Sequence, residues 1–423
     1  MQKIDMLERQ NRKQVSTLEI FLFIFSMSFA PQYLPIDVRP VIYFFWILVS
    51  LSRGGYFNDI IITRYVRNTL IFLLLISIYS AIVVLTSSSG DHYVYIRYIR
   101  AFLALSVIIL YISNSTINIK KLINSFVLIL FLHSLIIIVE IILPEIRELM
   151  YPFSGSSRKF YAYRANGLVN SYDLAGIYTN FGLLLSSVMY IQSRQKKYLI
   201  ISLVSILATI FTSRLSIIAM IFILMFILKK SNENRVVIFK VFISIIFIIT
   251  GTIGIGLWTI TTDVFPLMRS YIFSYSWADE LYLNIIETYS DDDVGSLLTN
   301  HFVFGLESVQ TFLFGKGLEG PADPGYSKIY NSIGLIGIVL ITFYYLYQWF
   351  YINNFKYRNF NSYYYLVYIS LIYILLTMLV GNFKILFFFS TSLFELMSIL
   401  IISYEFFIRQ KNGITKKGNE LRL

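Results

Sequence analysis

The sequence has no cysteine, only three histidines and only 14% charged residues. Without a thiol there is no disulfide and no thiolate metal site. A hydrophobic share of 57% beside so little charge excludes an ordinary soluble protein and points to an integral membrane chain. Other features are missing too. No small-residue cleavage site follows the first apolar run, so Leu18 to Ile36 reads as an anchoring span rather than a removed signal. No repeat of fixed period and no pair of interrupted helices in matching halves is visible, which lowers the transporter reading. Gly315-Lys316 lacks the earlier glycine and the following Ser/Thr of a phosphate-binding loop, so no ATP-driven step is implied.

What is present is a series of apolar runs. A membrane-crossing helix takes about 20 mostly apolar residues. About twelve candidate runs occur, some short: residues 18–36, 40–52, 68–86, 97–113, 122–143, 172–191, 199–212, 215–229, 238–260, 327–350, 363–380 and 385–407. The expected fold is therefore all-α, a single polytopic membrane domain over 1–423. The chain holds 35 Lys+Arg against 24 Asp+Glu. Basic blocks beside spans record topology more often than nucleic-acid binding. With the N-terminus inside, roughly two thirds of the 35 cations fall on the shorter cytoplasmic segments, so both termini are expected inside.

Two connections are long, 144–171 and 261–326, and both fall on the extracytoplasmic side in this topology. Long loops on a rigid scaffold are where function concentrates. Gly315 to Gly320 matches GxGxxG, but Pro321 and Pro324 follow where a dinucleotide site needs a helix, so the match reads as a turn-rich loop.

The polar residues at the outer boundary are the candidates for chemistry. Arg158, Lys159, Tyr163 and Arg164 lie in the first long loop. Cations among tyrosines can hold a phosphate, or can anchor a loop to lipid headgroups. Arg214, in the stretch IFTSRLSI, interrupts two apolar runs. An arginine within a span costs at least about 2.5 kcal/mol, so it faces a wet interior or snorkels. Thr212 and Ser213 beside it favour an inward-facing anion site. Asp323, between Pro321 and Pro324, puts a carboxylate at the entry to the next helix, either as a general base or as a helix cap. Tyr326 follows it. Arg97 and Arg100 sit one turn apart on the same outer side and either extend an anion site or mark the interface. His133 and Glu140 share a helix face at i and i+7, the placement of a buried polar pair. Trp277, Asp291-Asp292-Asp293 and His301 lie in the large loop, where three consecutive carboxylates are usually solvated rather than metal-binding.

In order and sidedness these features resemble the Wzy-type O-antigen and capsule repeat-unit polymerases and the related O-antigen ligases. The likeness rests on Arg164 to Gly167 (Arg-x-x-Gly), Thr212 to Arg214 (Thr-Ser-Arg), Gly315 and Gly317 of the late loop, and Gly334-Leu335-Ile336-Gly337. The resemblance implies a GT-C-like membrane glycosyltransferase of the bacterial cytoplasmic (inner) membrane, with its active site extracytoplasmic. It also implies an undecaprenyl-diphosphate-linked oligosaccharide as substrate, no metal or other cofactor, and a chain-length regulator as a partner protein. The ligases carry a histidine where this chain has Asp323, followed here by Pro324, which favours a polymerase. Arg164, Arg214 and Asp323 are then the expected catalytic residues. Arg97, Arg100, Arg158, Lys159, Tyr163 and Tyr326 are the expected substrate contacts. A lipid-linked oligosaccharide flippase, an O-antigen ligase and a membrane O-acyltransferase are the alternatives. The last is disfavoured because no histidine has an evident catalytic partner.

Overall fold

A computed structural model describes residues 15–29, 38–53, 62–88, 90–154, 164–230, 308–319, 325–354, 363–383, 386 and 388–420. Every regular element among them is a helix: α1 Thr17–Ser28, α2 Arg39–Leu51, α3 Arg64–Thr86, α4 Tyr93–Ser113, α5 Ile119–Ile142, α6 Pro144–Ser154, α7 Tyr172–Ser193, α8 Lys196–Ile210, α9 Arg214–Lys230, α10 Val309–Phe314, α11 Gly325–Asn353, α12 Tyr363–Gly381 and α13 Leu393–Glu420. Six of these, α3, α4, α5, α7, α11 and α12, are long and apolar enough to cross a membrane.

Two helices depart from their apolar runs. Helix α1 stops at Ser28, where Phe29 takes φ −124° and ψ 43° two residues before Pro31. Proline cannot continue a helical hydrogen-bond ladder. The run expected over 385–407 becomes helical only at Leu393. The run 238–260 lies outside the described residues. The first long loop is partly helical: α6 begins on Pro144, a first-turn position where the missing N–H is no loss. Helices start where hydroxyl caps stand. Ser16 accepts from Glu19 N–H (3.1 Å), Thr63 from Val66 N–H (3.2 Å) and Ser171 from Leu174 N–H (3.2 Å).

The chain divides into two compact units. Unit 1 comprises 1–30, 39–125 and 295–423; unit 2 comprises 31–38 and 126–294. In unit 1, Phe23 stacks on Tyr111 at 4.0 Å and meets Trp46 edge-on at 5.0 Å, an aromatic seam joining α1, α2 and α4. Arg53 pairs with Glu19, which also accepts from the Tyr111 hydroxyl at 3.0 Å.

The most irregular element of unit 1 is α11, which breaks at Gly334 (φ 66°, ψ −169°). The break frees carbonyls that the preceding glycine loop takes up. Lys316 N–H donates to Asn331 O (2.6 Å), Gly317 N–H to Ser332 O (3.1 Å), and the Tyr79 hydroxyl to Ile333 O (2.9 Å). A β-carbon on Gly334 would stand 2.3 Å from Leu313 O, and one on Gly315 would stand 2.6 Å from Gly334 N. Glycine is thus required on both sides of this contact. The Gly-x-Gly segment is a clasp on a broken helix.

Unit 2 is organised around α7, which is buried along nearly its whole length. Helices approach this closely only where side chains are small. Gly176 lies directly against Ser216 and Thr212, at the turn between α8 and α9, and Gly182 lies against Ser205 and Leu130. Hydroxyls bridge the seam: Ser186 with Ser202 at 2.8 Å, and Thr209 to Thr179 at 2.9 Å.

Candidate functional site

The polar focus of unit 2 is the segment Arg164 to Leu168. Ala165 N–H donates to Phe211 O at 2.8 Å, directly before the Thr212-Ser213 turn that opens α9 at Arg214. The Arg-x-x-Gly and Thr-Ser-Arg elements, far apart in the chain, are therefore neighbours in space. Thr212 and Ser213 are buried. The turn is held by its own hydroxyls, with Thr212 Oγ1 donating to Thr209 O at 2.7 Å and Ser213 Oγ bonded to Ser216 Oγ at 2.7 Å. Asn180 on α7 donates to Ser216 O at 2.7 Å, tying the turn to the buried helix.

From the other side the segment is gripped by the α5 pair. Gly167 N–H donates to Glu140 Oε2 (3.0 Å) and Leu168 N–H to His133 Nδ1 (3.3 Å). Because Nδ1 accepts, the proton sits on Nε2, which donates to Ala175 O at 3.4 Å. The i, i+7 spacing thus serves to bond two successive N–H groups of one loop. Gly167 takes φ +55°, and a β-carbon there would come 2.9 Å from Ile137 Cγ1 and 3.0 Å from the His133 ring. Within this frame Arg164 is half-buried and its guanidinium lies 5.9 Å from the centre of the Tyr172 ring, a cation–π distance. Asp173 is buried in the first turn of α7, just beyond.

Unit 1 holds the other described candidates, and they are engaged differently. Arg97 is 6% exposed and forms an ion pair with Glu319 of the glycine loop. That loop is tied to the start of α4 by Asp91 N–H donating to Gly317 O (2.7 Å), and to the end of α3 by the Ser87 hydroxyl donating to Lys316 O (2.5 Å). Arg100 donates to Phe389 O at 3.4 Å. Tyr326 donates its hydroxyl to Leu379 O (2.9 Å) and its N–H to Asn382 O (3.2 Å). Asp323, Arg158, Lys159 and Tyr163 lie outside the described residues, as do Trp277, Asp291-Asp292-Asp293 and His301. No group of three His, Cys, Asp or Glu able to hold a metal occurs among the described residues.

Glu319 is a partner that the sequence pattern does not single out. Its only signal is an acid inside a glycine-rich loop of a length that can return to the bundle. The helical spacing of His133 and Glu140 marks them as a pair, but spacing alone does not reveal that both would bond loop backbone. Comparison with known proteins gives no match, either to a family model or to a curated protein.

Proposed function

We propose that the protein is a membrane glycosyltransferase that polymerises undecaprenyl-diphosphate-linked oligosaccharide repeat units into O-antigen or capsular polysaccharide, acting at the outer face of the cytoplasmic membrane. The observation that carries this reading is the bond from Ala165 N–H to Phe211 O, which sets Arg164 beside the turn leading into Arg214. Two arginine-bearing elements on one buried scaffold suit a diphosphate, because guanidinium forks match phosphate oxygens.

The chemistry follows from the leaving group. A growing chain lies with its lipid diphosphate against Arg164 and Arg214, and negative charge grows on the diphosphate as the anomeric bond breaks. Cations fixed in advance stabilise that charge more in the transition state than in the ground state. The acceptor hydroxyl of the next lipid-linked unit attacks from the opposite face, so the anomeric configuration inverts. The family resemblance assigns deprotonation of that hydroxyl to Asp323 and calls for no metal. The role of His133 and Glu140 in this scheme is to position Arg164 through the backbone, and neither need touch substrate.

The twelve-span arrangement, with both termini inside and the loops 144–171 and 261–326 outside, belongs to the same proposal. A second reading, a lipid-linked oligosaccharide transporter, draws support from the buried polar side chains of unit 1 described below. Product analysis separates the two. Deletion of the gene leaves glycans capped at one repeat unit if the protein polymerises. Accumulation of lipid-linked units on the cytoplasmic face instead refutes polymerisation and supports transport. Arg214→Lys keeps the charge but loses the planar fork; under this proposal chain extension collapses at a normal protein level.

A further inference from the structure

The interior of unit 1 contains a run of polar side chains that glycosyl transfer does not use. Helix α13 carries Glu395, Ser398 and Glu405 at i, i+3 and i+10, positions that share one side of a helix. The two carboxylates are about 15 Å apart along the axis at 1.5 Å per residue. At one end, Glu405 accepts from the Tyr351 hydroxyl, and the Tyr351 ring lies 4.9 Å from that of Tyr65. Gln348 and Thr69 stand beside the Tyr65 hydroxyl, and Tyr344 stands beside Thr69 and Tyr65. All of these except Tyr351 and Glu405 are buried. Yet the hydroxyls of Tyr65, Thr69, Tyr344 and Tyr345 and both amide atoms of Gln348 lack a hydrogen-bond partner of proper geometry. Buried polar groups that stand beside one another without a bond of proper geometry are the arrangement that internal water bridges. Carboxylates inside a bundle of apolar helices mark ion or proton paths.

A barrier of aromatic rings interrupts this run. Phe389 packs 5.7 Å from Tyr344, 6.3 Å from Tyr345, 5.6 Å from Tyr98 and 5.1 Å from Phe394, while Phe388 packs 4.2 Å from Tyr345. Phe389 takes φ +56°, a left-handed conformation that a bulky residue holds only under constraint. Beyond the rings, in the first turn of α13, stands Glu395, with Arg39 of α2 and Arg100 of α4 as its charge partners. Arg100 also donates to Phe389 O at 3.4 Å. One guanidinium thus serves both the carboxylate and the constrained residue.

We propose that unit 1 contains a gated proton relay running from Glu405 through Tyr351, Tyr65, Tyr344 and Tyr345 to Glu395, closed at Phe389 in this conformation. Each hydroxyl or bridging water accepts a proton on one side and releases its own on the other, so protonated Glu405 loses a proton, the Glu395 carboxylate gains one, and nothing is oxidised. Glu405 faces Tyr351 and Tyr347 of α11 and Tyr65 of α3. Glu395 faces the two cations Arg39 and Arg100. The relay does not depend on the glycan reaction.

The test uses the purified full chain in phospholipid liposomes with a trapped pH dye, driven by a potassium gradient and valinomycin. With the gate shut, wild-type vesicles acidify little faster than protein-free ones. Phe389→Gly removes the ring and suits the positive φ, and it raises the flux about tenfold or more. Adding Glu405→Gln or Gln348→Leu to Phe389→Gly returns the flux to the wild-type level. A Phe389→Gly protein no leakier than wild type overturns the proposal, as does a leak that persists when Glu405→Gln is added. Should Phe389→Gly fail to elute as the wild-type species, infrared spectroscopy of the otherwise wild-type protein decides. A carboxylic-acid band that titrates and is lost in Glu405→Gln supports the relay. A carboxylic-acid absorption that Glu405→Gln leaves unchanged in size at every pH overturns it. Because no glycan enters either measurement, failure here is distinct from failure of the polymerase reading.

Discussion

Each unit folds a glycine-bearing loop back onto its helices near an arginine, and the two solutions are opposite. In unit 2 the loop is gripped through its backbone by Glu140 and His133, and Arg164 is half-buried over a tyrosine face. In unit 1 the loop is gripped through its backbone by the broken helix α11, and its own Glu319 neutralises buried Arg97. The difference separates two reasons for an arginine at a helix end. The polymerase reading assigns the first guanidinium to a ligand's charge, with the scaffold holding it in place. The second holds the loop itself and has its charge balanced inside the protein.

The sharpest way to break this comparison is to remove each arginine in turn. Arg164→Ala is expected to leave folding intact and to cut chain extension about 10²-fold or more, the effect of losing one stabiliser of developing negative charge. Arg97→Met is expected to act on stability instead. It leaves Glu319 without its partner, and because that side chain is 28% exposed the cost is about 1–3 kcal/mol, below that of breaking a fully buried pair. Glycan length on a gel reads the first effect, and thermal unfolding in detergent reads the second. The double variant Arg97→Met/Glu319→Gln recovers most of the lost stability. Equal effects of the two arginine variants on chain length at normal stability would erase the distinction.

A smaller effect is expected at Glu140. Glu140→Gln keeps an acceptor for Gly167 N–H but removes the acid near buried Arg147, so it costs less than losing the acceptor altogether. Glu140→Leu leaves that buried N–H without a partner, a cost of about 1–3 kcal/mol, and lets Arg164 move. If Glu140 acts through position alone, Glu140→Gln retains chain extension while Glu140→Leu loses it. Loss in both variants would mean that the carboxylate charge itself is used.

The long helices were legible because an apolar run has a length that can be counted. The runs 68–86, 97–113, 172–191 and 363–380 correspond to helices Arg64–Thr86, Tyr93–Ser113, Tyr172–Ser193 and Tyr363–Gly381. Most of these helices extend past the runs at their polar ends, since backbone bonding continues where hydropathy does not. The break at Gly334 was not legible. It arises because loop residues Gly315 to Gly317 compete for the carbonyls of Asn331 and Ser332, and nothing in the local pattern of α11 announces a partner about 15 residues upstream. At the candidate site the residue types were readable, because charge in an apolar context is conspicuous. Their neighbours were not. That Arg164 adjoins the Thr212-Ser213 turn depends on Ala165 N–H and Phe211 O, backbone groups that carry no signature in the sequence.

The smallest expected effect concerns the hydroxyl seam of unit 2, and it asks whether this scaffold is held by polar bonds or by fit. Ser186 lies 2.8 Å from Ser202 and donates to Gly182 O at 2.6 Å within its own helix, so the single Ser202 proton serves either Ser186 or Tyr198 O, and Ser187 donates to Ser202 at 3.1 Å. Ser186→Ala removes one member of a shared set. Ser202 keeps its bond from Ser187 and its donation to Tyr198 O (2.9 Å), so no buried group is orphaned. The change also keeps the side chain small enough for α7 and α8 to stay in contact. The expected loss is below about 1 kcal/mol, at the low end for a hydrogen bond whose partner is still satisfied. Ser186→Leu keeps no such fit and separates the helices, so it should destabilise far more. Comparable losses for the two variants would show the hydroxyl network, rather than close approach, to be what fixes α7 beneath Arg164.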